Sequence, residues 1–160
     1  MNLKIIFVSC LIFLWACLPA LAASPEITYE KVNPGSISYT FKRLKEKTLL
    51  LIFSPVPSRK TKIYESLLGA RLGELKKVVD EKNKGLIEKA AQRYWSTAGE
   101  YTDHILSNDT NRKEEAKNLL EYHRLLVESF LPNFDGTTAE WRFVKHDLDY
   151  LDLNLQKLIE

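Results

Sequence analysis

Apolar residues recur at steps of three and four through most of this chain beyond Ser36, and that periodicity leaves few folds open. Tyr64, Leu67, Leu68, Leu72, Leu75, Val78 and Val79 form one stripe, and Ile87, Ala91, Tyr94, Ala98, Tyr101 and Ile105 a second. Trp141, Val144, Leu148, Leu151, Leu155 and Leu158 form another. A stripe of this period lies along one face of an α-helix and must be buried against a neighbouring element. No window alternates apolar and polar residues between turn signals, apart from a short LDLNL inside the last stripe. The pattern predicts an all-α fold, an antiparallel bundle of about five helices over residues 36–160.

Turn chemistry divides the bundle. The first helix is predicted from about Ser36 to Phe53, and its last residues, LLLIF, are apolar all round, which calls for burial on most sides. SPVPS ends it, because proline cannot continue a helix but suits the start of the next. The second runs from about Ser58 to Lys82, with NKG around Gly85 as C-cap and turn. The third spans about Leu86 to Leu106. Asp109 or Thr110 can cap the fourth, which carries Ala116, Leu119, His123, Leu126 and Val127 and ends at Phe130. After the loop LPNFDGTT, Thr137 and Glu140 make a T-x-x-E capping box for the fifth.

The N-terminus follows a different logic. MNLK, the apolar run IIFVSCLIFLWACL and the small-x-small triplet Ala20-Leu21-Ala22 read as a signal peptide over residues 1–22. The run of about 14 residues falls short of the roughly 20 that a membrane-spanning helix needs. Within it, LWAC also fits a lipoprotein signal with Cys17 as the lipidated residue, and that alternative stays open. Residues 23–35, flanked by Pro25 and Pro34, form an extended lead-in. The expected location is outside the cytoplasm: secreted, periplasmic or attached to the envelope. Both cysteines, Cys10 and Cys17, lie in the leader, so a chain cut after Ala22 or Ala23 has neither a disulfide nor a cysteine nucleophile. Its core alone must hold it together.

Composition excludes several functions. Cleavage removes Lys4, one of 23 basic residues, and none of the 21 acidic ones, leaving a near-neutral chain unsuited to nucleic acid as its main partner. His104, His123 and His146 fall on three segments, with no H-x-x-x-H or E-x-x-H pair to begin a metal site, and no cofactor is called for. His123 occupies a core slot. Asp147, Asp149 and Asp152 lack the glycine and closing glutamate of a calcium loop and read as a solvated helix face. Neither a phosphate-cradling glycine loop nor G-x-S-x-G is present. A non-catalytic module that binds another envelope protein fits these absences. Charge is unevenly spread, however: Ser36 to Val79 holds ten basic residues against Glu46, Glu65 and Glu74. KRLKEK and SRKTK therefore support an alternative, electrostatic attachment to an anionic envelope polymer or lipid surface.

One residue breaks the second stripe. Arg71 sits one turn from Leu67, Leu68 and Leu75, where a charge is either a site or half of a buried ion pair. Tyr39, Lys42, Arg43 and Glu46 in ISYTFKRLKEK, the proline break and LLGARLGEL together resemble a bacterial extracytoplasmic family of unknown function, DUF 5667. The resemblance covers about Ser36 to Leu106, with Ser54-Pro55 where the family usually has an acid before proline. It implies an exported or envelope-attached helical domain and implies no activity. Arg71 is then expected to join the first two helices by an ion pair with Glu46 or Glu74, with Lys42 one turn before Glu46 extending the network.

The leader gives the first prediction. Mass spectrometry of the exported protein should show an N-terminus at Ala23 or Ser24; a diacylated Cys17 would establish the lipoprotein alternative instead.

Overall fold

The computed structural model describes residues 37–160, for Ile37 to Thr40 and Lys42 the backbone alone. The expected leader, Cys17 and the lead-in to residue 35 lie outside the described residues. Five α-helices account for most of the rest: α1 (Ile37–Ile52), α2 (Pro57–Asp80), α3 (Lys84–Asn108), α4 (Lys113–Glu128) and α5 (Ala139–Ile159). Single turns of 3-10 helix at Thr110–Arg112 and Leu131–Asn133 link α3 to α4 and α4 to α5, and no strand occurs among the described residues.

Short connections reverse the chain at every step, so consecutive helices run antiparallel and α3 and α5 run parallel. Contacts at both ends of α3 fix this register. Thr61 donates to Asp109 at 2.6 Å and His104 lies 3.2 Å from the Pro57 carbonyl, pairing the start of α2 with the end of α3. Lys84 faces Glu140 and Lys157 faces Asp103, pairing start with start and end with end along α3 and α5. The predicted stripes meet between them. Leu68, Leu72, Leu75, Ile87, Tyr94, Tyr101, Ile105, Leu120 and Leu151 are essentially removed from water. Burial of such side chains stabilises by about 1.5–3 kcal/mol each and is the main driving force here. Gly99 lets α3 approach α5, since a Cβ there would meet the Tyr150 hydroxyl at 2.7 Å.

Neither Asp109 nor Thr110 caps α4, whose N-cap is Arg112, since the Asp109 carboxylate is taken by Thr61, and four further local expectations change. The end of α1 is not enclosed: Leu49, Leu50 and Phe53 are half-buried, but Leu51 is 76 % and Ile52 59 % exposed. Gly85 lies inside the first turn of α3 and does not cap α2. Lys82 does, at φ 52°, with Lys82 N–H bonded to the Val79 carbonyl and Asn83 N–H to that of Val78, the paired bonds of a Schellman cap without its usual glycine. The cap of α5 moves by one residue. Thr138, not Thr137, accepts from Trp141 N–H, because Asp135 already holds Thr137 through its backbone N–H and hydroxyl.

The fourth correction is the largest. Asp147 is not solvated but completely buried, and neither carboxyl oxygen has a hydrogen-bond partner among the described residues. Desolvation therefore holds its pKa well above the ordinary carboxyl value, favouring the protonated acid. Asp149 and Asp152 remain at the surface, paired with Lys145 and Arg124. His123 is buried as expected, 3.2 Å from the Tyr94 hydroxyl, and burial pushes its pKa down to about 4.

These two groups act on stability with opposite signs. A carboxyl with a raised folded pKa loses stability as pH climbs above roughly 4 toward the folded value. The histidine, with a depressed folded pKa, loses stability as pH falls from roughly 6.5 through about 4, in all on the order of 3 kcal/mol. The two slopes therefore oppose each other within the histidine's range, between about 4 and roughly 6.5. Urea unfolding of Asp147→Asn should instead show stability rising through that interval and then levelling. An unchanged profile would mean that Asp147 is ionised in the fold.

Candidate functional site

Arg71 is 5 % exposed among leucines, and a guanidinium cannot shed its charge when buried. It needs acceptors within reach, and two are present. Its Nη1 donates to Glu74 Oε1 at 2.6 Å, three residues along α2, and its Nη2 donates to Glu46 Oε2 on α1. The side chains of Arg71 and Glu74 are 6 % and 2 % exposed, that of Glu46 15 %. A planar fork that bonds carboxylates on two helices sets the rotation of one helix against the other, not merely their distance. Lys42 precedes Glu46 by one turn of α1; its side chain lies outside the described part.

Around this pair, α1, α2 and α3 enclose an open cleft of about 530 Å³. Arg43, Glu46, Lys47 and Leu50 line it from α1, and their spacing of three or four puts them on one helix face. Leu67 and Arg71 form the α2 side. Across from α1, helix α3 contributes Lys89 and Arg93, then Gln92, Ser96 and Glu100 with the indole of Trp95. Five cationic side chains thus face two carboxylates, Glu46 and Glu100, and the concavity is electropositive. Arg43, Lys47 and Lys89 are exposed and join no ion pair among the described residues. Trp95 is held by edge contacts to His146 and Tyr150, with ring centroids 5.7 and 5.3 Å away. Behind it a smaller hollow of about 240 Å³ opens between α3 and α5.

Because the charged face of α1 turns inward, its apolar face turns out. Phe41, Leu44, Leu51 and Ile52 are 59–76 % exposed and share one side of the helix, with exposed Thr48 between them. Such a stripe is what most helices bury.

The structure brings together Arg71, Glu46 and Glu74 and keeps the three histidines apart, on α3, α4 and α5. No group of three metal-ligating side chains occurs among the described residues, and no described helix is long and apolar enough to cross a membrane. Lys89, Arg93 and Trp95 had no place in the sequence reading. Their signal was the polar stripe complementary to Ile87, Ala91 and Tyr94, but nothing in it shows that α1 lies opposite. No protein-family profile, curated protein or solved structure matches the chain.

The ion pair is open to direct test. Arg71→Ala takes the guanidinium away from a buried Glu74 and a half-buried Glu46 and should cost about 3 kcal/mol. Changing the triad together, Arg71→Met with Glu46→Leu and Glu74→Leu, should recover much of that loss, since desolvation and attraction go at once. Lys76→Ala, which removes a surface pair with Asp80, is the control and should cost well under about 1 kcal/mol. Denaturant midpoints for the three variants decide it; equal costs for Arg71→Ala and the control would remove the ion pair from the account of the fold.

Proposed function

We propose that this chain is a non-catalytic helical module of the bacterial envelope that docks on a partner protein through the outer face of α1. The observation that carries the reading is the apolar stripe Phe41, Leu44, Leu51 and Ile52, left outward while the charged side of the same helix is used internally. From Phe41 to Ile52 the stripe runs about 17 Å, long enough to lie in a groove of another protein as an amphipathic helix does. Lys45 and Arg59 are exposed near it, so the fitting partner has an apolar groove with carboxylates along its rim. The leader-like N-terminus and the resemblance to an extracytoplasmic family support the envelope as the setting. The shortage of convergent catalytic groups in the sequence supports binding over chemistry.

A photoreactive side chain in place of Leu51 should cross-link to one protein species in cells, and the adduct should vanish when Phe41→Ser and Leu44→Ser are added. The same label at Glu121, exposed on α4, should give no such adduct. Cross-links to lipid alone would favour the surface-binding alternative and end the protein-docking one.

A further inference from the structure

We infer that the cleft between α1 and α3 binds a phosphorylated sugar or polyol that carries more than one anionic group. This does not rest on the docking reading, because it uses the opposite face of α1. Each wall presents a pair of cations four residues apart: Arg43 and Lys47 on α1, Lys89 and Arg93 on α3. Side chains at that spacing are neighbours on a helix surface, roughly 5–6 Å apart at Cβ, so each pair can converge on one phosphate. Two such pairs on facing walls suit a ligand with two separated anionic groups better than a single ion.

The lining between them indicates what joins the anionic groups. The Gln92 amide and Ser96 hydroxyl both donate and accept, as sugar hydroxyls require, and the Trp95 indole offers an apolar surface beside them. Glu100, a carboxylate in an otherwise positive cleft, would repel a uniform polyanion but accepts hydrogen bonds from hydroxyls. The volume falls within the range of small-molecule sites, about 300–1,000 Å³. Surface lysines are ordinarily scattered over a convex surface; these line one concavity, where charges of one sign reinforce each other's field. The shared chemistry, phosphate on a hydroxylated carrier, can be offered by a soluble glycan fragment or by a lipid headgroup.

Calorimetric titration of the purified protein with fructose 1,6-bisphosphate tests this, with fructose and inorganic phosphate as comparisons. The bisphosphate should bind at least about tenfold more tightly than inorganic phosphate, and fructose should give no heat. Lys47→Glu with Lys89→Glu, both exposed, should weaken the bisphosphate at least about tenfold with circular dichroism unchanged. Lys62→Glu, an equal charge change on an exposed α2 position outside the cleft, should change it less than about twofold. Flotation with phosphatidylglycerol vesicles separates the sources. Recruitment that the bisphosphate competes away assigns a lipid headgroup, and probe binding without recruitment assigns a soluble ligand. Failure of the bisphosphate to bind, parity with inorganic phosphate, or equal losses in the Lys47/Lys89 variant and in Lys62→Glu would each overturn the inference.

Discussion

Arg71 must be neutralised where it stands, and the placement of α1 follows from that need. Its guanidinium lies in the apolar stripe of α2, cannot be deprotonated, and is met by Glu74 from its own helix and Glu46 from the next. Glu46 shares a face of α1 with Arg43, Lys47 and Leu50, so satisfying the arginine turns that whole face inward. The apolar stripe of α1 then has nowhere to go but outward. Left to hydrophobic burial alone, α1 would take the other orientation, since Phe41, Leu44, Leu51 and Ile52 would each gain from leaving water. The ion pair thus acts less as a source of stability than as a selector between two rotations of one helix. Both surfaces with binding potential, the outer stripe and the inner cleft, are products of that selection.

Much of this was legible in the sequence, for a stated reason. Period-three-four stripes report directly on which residues a helix must bury, and those of α2, α3 and α5 lie in the core along nearly their full predicted length. Arg71 was visible because it breaks such a stripe. What escaped were features that depend on two elements at once. The rotation of α1 is decided by an acid–base pair across a helix interface, whereas local hydrophobicity pointed the other way for Leu51 and Ile52. The cleft exists only where the polar side of α3 meets α1. The α5 cap moved because Asp135 claims Thr137 first.

Asp147 was misread for a subtler reason. It and Asn154 are seven residues apart, two turns of α5, and both fall on the stripe that contains Val144, Leu148, Leu151 and Leu155; both are fully buried. Charge outweighed position in the sequence reading, and position is what the fold obeys. Asn154 is partly satisfied, its amide donating to the Tyr150 carbonyl at 2.8 Å. Asp147 has no such outlet among the described residues; burial first, and the Asp147 carboxyl second, raise the pKa of Tyr94, whose hydroxyl lies 3.2 Å from the His123 ring. A group of this kind costs stability wherever it is placed.

A buried acid that keeps its proton also makes folding a chemical exchange with the solvent. At any pH between the ordinary carboxyl value and the raised value in the fold, the unfolded chain carries Asp147 as a carboxylate and the fold holds it as the neutral acid, so collapse draws a proton out of the buffer. The heat of folding therefore contains the ionisation heat of whatever buffer supplies that proton. In phosphate and in Tris the same molecule, reaching the same structure, would release different amounts of heat, and the difference counts the protons taken into its core.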